Sequence, residues 1–242
     1  MFDSIYREQD KMIIVIPARG GSKRLPHKNI QNLQGKPLLY HTLDAIAASG
    51  LNCPVFVSTD DDHIACLASV YSGVKVIMRP EMLASDTAST ESVLLHVLDV
   101  VGEDGINPKW LMTLPPTSPF RSPETIRRFA ETVQREPDAQ DCLMSTTENR
   151  GDFWQMKSDG TLIRLFPDAP RRQQERTPLF EENSAVYISR VTILRDTGTI
   201  IGGRIRGHVI PALEGFDINT AEDMKLANYI AEFQSASRIM DN

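Results

Sequence analysis

The sequence has few cysteines and no long apolar run, and each shortage excludes a class of protein. The three cysteines among the 242 residues, Cys53, Cys66 and Cys142, lie far apart. This spacing fits neither a disulfide framework nor a CxxC metal site, and it favours buried thiols in a reducing cytosol. The longest apolar run, 12–16, is far too short to span a bilayer. Because residues 1–11 also lack a signal-peptide pattern, we predict a cytoplasmic protein without a membrane partner.

Positive charge is also scarce overall. Lysine and arginine number 26 against 32 aspartates and glutamates, which gives a formal net charge of −6. Domains that bind nucleic acid are usually basic, so this balance argues against a nucleic-acid partner. Positive charge is locally dense at 19–28 and 171–176. Local positive charge on an acidic protein indicates a small anionic ligand.

What the sequence does have is a regular alternation of strand and helix patterns. The β-branched run 12–16 predicts a strand that is buried on both faces. Alternation of this kind predicts an α/β fold: one domain over 1–242, with a Rossmann-like, mostly parallel, doubly wound sheet and helices on both faces. The further predicted strands are 54–58, 74–78, 110–114 and 141–146, and the predicted helices are 37–50, 62–70, 90–101 and one that begins at Ser122.

An inserted segment, 147–183, interrupts this alternation. Within it, 153–157 and 161–165 flank Ser158-Asp159-Gly160, the pattern of a hairpin, and an irregular stretch rich in proline and arginine follows from 167. The segment carries more apolar surface than a free hairpin can hide, so we expect a projecting arm that builds a homodimer. Its large apolar side chains are Phe153, Trp154, Phe166 and Phe180.

Two elements are predicted after the arm. A strand pattern resumes at 185–188, and a final helix begins at a capping box formed by Thr220 and Asp223. The core-facing side chains of this helix are predicted to be Leu226, Ile230 and Phe233.

The segment 18–29, directly after the first buried strand, is the strongest functional signal. Gly20 and Gly21 allow the backbone to turn its N–H groups toward a ligand, and three cations add positive charge. Together they predict a cradle for a triphosphate, although the Walker pattern GxxxxGK[ST] is absent. The three cations are Arg19, Lys23 and Lys28.

Ligands of a doubly wound sheet bind at the carboxyl ends of its strands. That rule selects four places in this sequence, which we expect to converge on one cleft. They are the loop 18–29, the acidic triplet 60–62, the segment 115–121 and the segment 217–219.

The residues Ile16-Pro-Ala-Arg-Gly-Gly-Ser-Lys-Arg-Leu-Pro-His-Lys-Asn29 resemble the signature loop of the CMP-nonulosonic acid synthetases, which activate sialic acid and its bacterial relatives. The resemblance extends over roughly 12–232 and implies a nucleotidyltransferase fold similar to GT-A. The further matching motifs are Val57-Ser-Thr-Asp60, Arg79-Pro-Glu-Met-Leu-Ala-Ser-Asp-Thr-Ala88, Pro116-Thr-Ser-Pro119 with Arg121, Arg171-Arg-Gln173, Asn183-Ser-Ala185 and Asp217-Ile-Asn-Thr220.

The resemblance implies a role for each matching position. The cytosine is expected to be recognised through its exocyclic amine, because a mispaired buried polar group costs ~1–3 kcal/mol. Positions that match the site for the triphosphate and ribose of CTP are Arg19, Gly20, Ser22, Lys23, Lys28 and Asn29, and those around the cytosine are Arg79, Ala88 and Thr90. Positions assigned to the acceptor are Pro115, Thr117, Ser118, Arg172 and Gln173.

The implied reaction is attack by the anomeric hydroxyl of a nonulosonic acid on the α-phosphate of CTP. Asp217 matches the carboxylate that binds catalytic Mg²⁺, whereas Asn219 replaces the second acid of the Asp-Ile-Asp pattern. Asparagine offers Mg²⁺ a carbonyl oxygen but no charge, so we expect metal binding to rely more on the nucleotide phosphates. The residues expected to carry the catalysis are Arg19, Lys23, Lys28 and Asp217.

Three departures from the family pattern lie on the acceptor side. Pro115 stands where glutamine is common, Glu181 where a basic residue is common, and 148–154 lacks the usual His-Pro. Proline offers apolar surface where glutamine offers an amide. We therefore expect a deoxy, diamino acceptor of the legionaminic acid type to be preferred over N-acetylneuraminic acid.

Two alternatives stay open at this point. Asp60 and Asp62 fit the DxD metal site of a GT-A glycosyltransferase, although acids that open a helix also favour its dipole, and we prefer that explanation. A non-catalytic nucleotide-binding regulator is suggested by Asn219 alone. The sequence does not specify the acceptor or the number of metal ions.

Overall fold

The structure, a computed structural model, describes residues 12–240, with side chains described to 236. The predicted lack of a signal peptide concerns 1–11 and lies outside the described residues. The strands are β1 (Met12–Pro17), β2 (Asn32–Leu33), β3 (Lys36–Pro37), β4 (Val55–Thr59), β5 (Val74–Met78), β6 (Trp110–Thr113), β7 (Cys142–Asn149), β8 (Trp154–Met156), β9 (Leu162–Arg164), β10 (Leu179–Arg190) and β11 (Ile205–Val209). The helices are α1 (Leu38–Ser49), α2 (Asp62–Ser69), α3 (Thr90–Glu103), α4 (Pro123–Arg135), α5 (Val191–Thr197) and α6 (Ala221–Met240), with short 3-10 helices at Lys28–Ile30, Glu81–Leu83 and Gln173–Glu175.

Seven strands form the main sheet in the order β11-β7-β10-β6-β1-β4-β5. β1 pairs in parallel with β4 and β6, and β4 pairs in parallel with β5. β10 is antiparallel to β6 and β7, while β11 is parallel to β7. The prediction of a mostly parallel sheet is therefore confirmed. The chain first builds outward from β1 through β4 and β5 and then returns to β6, so the switch point lies between β1 and β6.

The core explains why β1 reads as a continuous apolar run. Ile14 and Ile16 belong to the cluster that packs with α1, α2 and α4. Ile13 and Val15 belong to the cluster that packs with α3 and α5. Successive side chains of a strand point to opposite faces, so a strand covered by helices on both sides needs apolar residues throughout.

The arm differs from its predicted bounds. Residues 147–149 and 179–183 belong to β7 and β10, which pair as an antiparallel ribbon from Leu179 opposite Asn149 onward. The predicted hairpin is present as β8 and β9, which form a separate two-stranded sheet. The strand predicted at 185–188 thus begins six residues earlier, at Leu179. Helix α5 and strand β11 were not predicted from the sequence.

The final helix has the predicted capping box but not the predicted face. The Asp223 carboxylate accepts the backbone N–H of Thr220 at 2.8 Å, and the Thr220 hydroxyl accepts that of Asp223 at 3.1 Å. Leu226 and Phe233 are exposed, whereas Met224 and Ala227 are buried, so the predicted face is wrong. Within residues 12–240 no helix is long and apolar enough to cross a membrane.

Candidate nucleotide and acceptor site

A cavity of about 520 Å³ lies at the carboxyl ends of the strands around the switch point. Loops that follow β1, β5 and β6 line it together with strand β10 and the start of α3. A second hollow of about 400 Å³ is enclosed by the loop 21–24. The two spaces share Arg19, Lys28, Asn29 and Asp86 and therefore form one continuous site. Of the places predicted to converge, the loop after β1 and the segment after β6 both contribute to the large cavity.

Gly20 anchors the loop after β1 to the acidic triplet. Its backbone N–H donates to the Asp60 carboxylate at 3.0 Å. A Cβ at this position would lie 2.5 Å from a carboxylate oxygen of Asp61, so only glycine permits the close approach. The N–H of Gly20 is therefore bonded within the protein. The prediction that this N–H points toward a ligand is wrong for Gly20.

The acidic triplet serves the fold. Asp61 is the N-cap of α2, and its carboxylate accepts the backbone N–H groups of His63 and Ile64 at 2.8 and 3.0 Å. Asp60 holds Gly20, and Asp62 is exposed in the first turn of the helix. This arrangement supports the helix explanation of the triplet over the DxD metal site.

Asp86 already occupies an anion position between two of the predicted phosphate-binding cations. Its carboxylate lies 3.1 Å from Nη1 of Arg19 and 2.9 Å from Nζ of Lys23. Lys23 and Arg19 hold the pKa of Asp86 below its usual value. Two cations that share one carboxylate present the charge and spacing that an oxyanion needs. Ser22 and Gly21 line the hollow beside them.

Lys28 and Asn29 connect the loop to the segment before α6. Asn29 is buried, and its side-chain amide donates to the Arg19 carbonyl at 2.9 Å. The Lys28 ammonium donates to the Asn219 side-chain oxygen at 3.1 Å. Burial lowers the pKa of Lys28, and the charge of Asp217 opposes that effect. A partly desolvated ammonium is an effective partner for a phosphate.

The residues predicted around the base also line the large cavity. Arg79 donates from Nε and Nη2 to the hydroxyl and carbonyl of Ser58 at 3.0 and 2.8 Å. Its burial lowers its pKa to about 10, which distinguishes it from an ordinary surface arginine. Ala88 and Thr90, the latter at the start of α3, line the same space.

The candidate metal site centres on Asp217. Its Oδ1 is buried and has no hydrogen-bond partner within the described residues, while Oδ2 accepts the Asn219 side-chain amide at 2.6 Å. The oxygen of that amide accepts from Lys28 and from Arg24 at 3.1 and 3.3 Å. Asp223 is committed to the capping box and to the backbone N–H of Asn219. No three His, Cys, Asp or Glu side chains group as a metal site within the part of the chain described.

A buried arginine fixes the wall on the acceptor side. Arg121 donates to the carbonyls of Ala185 on β10 and of Pro115 at 2.5 and 3.3 Å, and to the hydroxyl of Thr42. Burial lowers the pKa of Arg121 to about 9, and the charge of Glu214 partly compensates. Arg121 therefore ties the segment after β6 to β10. Of the predicted acceptor residues there, Pro115 and Thr117 line the cavity, and Ser118 is buried beside it.

The other predicted acceptor residues lie elsewhere. The Arg172 side chain is 81% exposed on the arm and pairs with Glu175, and Gln173 borders a separate hollow with Glu148 and Arg150. Glu181 is exposed and does not line the large cavity. Within one chain, the structure does not bring these residues to the nucleotide site.

Several residues that line the acceptor side were missed by sequence reasoning. Their signal was the Asn183-Ser-Ala185 motif, which lies on β10 among them. They are Thr113, Glu182, Ser184, Tyr187, Ile200 and Ile201.

A mostly parallel sheet with a basic, glycine-containing loop at its switch point is typical of α/β proteins that bind nucleotides, and the family match identifies this one as a nucleotidyltransferase. The profile of the cytidylyltransferase family matches residues 13–197. The chain belongs to that family, which confirms the predicted resemblance and favours a cytidylyltransferase over both alternatives.

Similar proteins agree with this assignment. The chain is 30% identical over 233 residues to a CMP-N,N'-diacetyllegionaminic acid synthase from Legionella pneumophila, with 95% of this chain and 100% of the relative covered. It is 31% identical over 220 residues to an N-acylneuraminate cytidylyltransferase from Streptococcus agalactiae, with 88% and 51% covered. The chain thus spans about half the length of the second relative.

Two solved structures share the fold. A CMP:2-keto-3-deoxy-manno-octonic acid synthetase complexed with CTP matches with a TM-score of 0.67 at 17% identity, with 93% of this chain and 99% of that chain covered. A 4-diphosphocytidyl-2C-methyl-D-erythritol synthase from Anaerococcus prevotii matches with a TM-score of 0.64 at 12% identity, with 93% and 97% covered. At these identities the similarity shows the fold alone, and it confirms the predicted α/β nucleotidyltransferase architecture.

Proposed function

We propose that this cytidylyltransferase transfers CMP from CTP to the anomeric hydroxyl of a nonulosonic acid and releases pyrophosphate. The observation that carries the proposal is the continuous site: a cationic hollow joins a larger cavity at the switch point of a cytidylyltransferase fold. The relatives named above act on legionaminic and N-acylneuraminic acids, which supports this acceptor class.

The nucleotide side works by positioning and charge stabilisation. Arg19, Lys23 and Lys28 would hold the triphosphate and stabilise the charge that develops on the departing pyrophosphate. Binding would displace Asp86 from its contacts with Arg19 and Lys23, because a triphosphate is the stronger anionic partner. Arg79, Ala88 and Thr90 would surround the cytosine. No side chain is assigned as a general base.

The residues at Asp217 fit a Mg²⁺ ion. One buried carboxylate oxygen lacks a partner, and hard oxygen ligands are those that Mg²⁺ prefers. Asp217 would supply one ligand, and CTP phosphates and water would supply the rest. Mg²⁺ in nucleotide sites is usually coordinated in this way. When bound there, the ion neutralises phosphate charge and lowers the pKa of a coordinated hydroxyl. Asn219 would join the metal only after its oxygen leaves Lys28 and Arg24.

The acceptor we propose is a deoxy, diamino nonulosonic acid of the legionaminic type. Pro115 lines the cavity with apolar surface, and Ile200 and Ile201 add more on the same side. Such a wall suits a sugar with fewer hydroxyl groups at its tail.

We also propose a cytoplasmic homodimer. The arm exposes large apolar side chains, including Trp154, Phe166 and Phe180, at 46, 47 and 55% exposure. Arg172 and Gln173 lie away from the large cavity of their own chain. They could contact an acceptor only if the arm of one copy reached the cavity of a second copy. Free Cys53, Cys66 and Cys142 suit a reducing cytosol. Light scattering at micromolar concentration is expected to give the mass of a dimer, and a monomer would refute the assembly.

A pyrophosphate-release assay tests the activity. With CTP, Mg²⁺ and a panel of nonulosonic acids, we expect release that depends on both CTP and an acid, and a product with the mass of a CMP-sugar. Replacement of CTP by UTP is the matched control for base recognition. Release of free cytidine nucleotide from a CMP-sugar, or no turnover with any acid, would contradict the proposal.

A further inference from the structure

The acceptor wall carries polar groups on a distorted stretch of β10. Glu182, Ser184 and Tyr187 all line the large cavity. The pairing of β10 with β7 changes register between Glu182 and Tyr187. Within that bulge Ser184 has a φ of 59°, in the left-handed region that favours glycine. A bulge of this kind re-aims side chains, and here it places several residues of one strand at the same cavity.

Tyr187 holds the Glu182 carboxylate at this wall. The Tyr187 hydroxyl donates to Oε1 of Glu182 and lies 3.1 Å from the Ser184 hydroxyl. Burial and the hydrogen bond to Glu182 both raise the pKa of Tyr187, so its hydroxyl stays protonated as a donor. Within residues 12–236 no lysine or arginine forms an ion pair with Glu182. The carboxylate therefore retains accepting capacity that faces the cavity.

A second polar group lies beside Tyr187. Thr113 pairs with Tyr187 across β6 and β10 and lines the same cavity. Its hydroxyl is buried and has no hydrogen-bond partner within the described residues. Buried polar groups normally have a partner, so the Thr113 hydroxyl has a hydrogen bond to offer a group in the cavity.

Glu182 and the half-buried cation Arg79 lie at different parts of the sheet that borders the cavity. Arg79 follows β5, and Glu182 lies on β10, four strand spacings away in the sheet order. At about 4.8 Å per spacing, the two ends are roughly 19 Å apart. An acceptor's own carboxylate would be repelled from the Glu182 end, so the group that meets Glu182 belongs to another part of the sugar.

Resting on the proposed function, we propose that Glu182 is a specificity-determining residue that recognises an acylamino substituent of the acceptor. An ionised carboxylate only accepts hydrogen bonds and pairs with the N–H of such a group, while the hydroxyl of Ser184 or Thr113 donates to its carbonyl. An acylamino group has one donor, its N–H, and one acceptor, its carbonyl oxygen. A hydroxyl in its place has no carbonyl for the flanking hydroxyls.

Neighbouring Glu181 provides the matched control for the test. Both carboxylates are exposed, but successive side chains of a strand point to opposite faces, and only Glu182 lines the cavity. Three acceptors serve as probes: N,N'-diacetyllegionaminic acid, N-acetylneuraminic acid, and the 3-deoxy-nonulosonic acid that carries a hydroxyl in place of the acylamino group.

For Glu182→Ala we expect the KM of the diacetylated acid to rise by roughly ten- to hundredfold, the range for losing a hydrogen bond to a charged group. The KM of CTP is expected to stay within about twofold, since this wall lies away from the nucleotide end. Glu182→Gln keeps an accepting oxygen and is expected to lose less. Glu181→Ala is expected to change none of these constants, and the hydroxyl-only acid is expected to lose little in any variant.

Ser184→Gly separates recognition from folding, because it removes the hydroxyl and relieves the left-handed backbone. We expect its thermal midpoint to be equal or higher while the acceptor KM rises about threefold or more. The inference is overturned if Glu182→Ala changes the acceptor KM by less than threefold, or weakens acids with and without the acylamino group equally. If the wild type turns over none of the three acids, the proposed function fails instead.

Discussion

The two ends of the site are built in different ways. The nucleotide end uses short segments, 19–29 and 79–90, which are held by hydrogen bonds between side chains and backbone groups near the ends of β1 and β4. The acceptor end is assembled from β6, a bulge in β10 and the buried strap of Arg121. Such a division allows one end to keep a common ligand, CTP, while the other changes with the sugar.

The two ends also differ in the partners of their charged side chains. At the nucleotide end the Asp86 carboxylate pairs with two cations, Arg19 and Lys23, so a group of the chain itself fills an anion position before CTP binds. At the acceptor end Glu182 has a hydroxyl partner but no cation in the described part of the chain. The first arrangement favours exchange of one anion for another, and the second favours a neutral donor group.

Loss of the carboxylate proposed to bind Mg²⁺ is expected to have the largest effect on the nucleotide end. Asp217→Ala is expected to lower kcat on the order of a thousandfold, because it removes the carboxylate with the free buried oxygen. Steady-state kinetics at saturating CTP and Mg²⁺ measures it. Asp62→Ala, exposed on α2, is the control and is expected to keep wild-type activity. Equal losses in the two variants would move the metal to the acidic triplet.

Removal of one cradle cation comes next in size. Arg19→Ala and Lys28→Ala are each expected to lower turnover by on the order of 10²–10³, as for other preorganised donors to developing charge. Circular dichroism should show that both remain folded. The control is Lys75→Ala, because Lys75 is exposed on the edge strand β5. Activity within a few-fold of the wild type in the Arg19 and Lys28 variants would remove the loop from the catalytic site.

The smallest expected effect sharpens the role of Asn219. Asn219→Asp replaces an amide that donates to Asp217 at 2.6 Å with a second carboxylate, and two such carboxylates need a cation between them. We expect the Mg²⁺ concentration for half-maximal rate to fall by roughly three- to tenfold. Thermal stability in EDTA is expected to fall and to recover when Mg²⁺ is added. An unchanged Mg²⁺ requirement would exclude Asn219 from the metal shell.

Local chemistry explains which elements were predictable. The N-cap at Ser122 is present, with its hydroxyl accepting the backbone N–H of Thr125 at 3.1 Å, and the apolar periodicity of α3 is buried as expected. Helix α5 has only seven residues, too few for a period to show. Strand β11 is largely exposed and contains Gly207, so it has no alternation. The face of α6 shifted because it packs on a small satellite cluster around Leu33.

The candidate site divides in the same way. The loop 18–29 was recognisable because glycines and cations stand together in the chain, and the structure places Arg19, Lys28 and Asn29 at one site. Glu182 went unnoticed because its place at the cavity depends on the bulge in β10 and on pairing between β10 and β6, which are far apart in sequence. From the sequence, Glu181 was assigned to the acceptor side instead. The two glutamates are adjacent in the strand, and their side chains differ only in the face to which they point.

The most direct test of the two-ended account is acceptor choice at saturating CTP. Comparison of kcat/KM for N,N'-diacetyllegionaminic acid and N-acetylneuraminic acid isolates the acceptor end, because the nucleotide end is already filled. We expect a clear preference for N,N'-diacetyllegionaminic acid with slow use of N-acetylneuraminic acid, since an apolar wall rejects an added hydroxyl by only ~10². A ratio at or above one in favour of N-acetylneuraminic acid would contradict it.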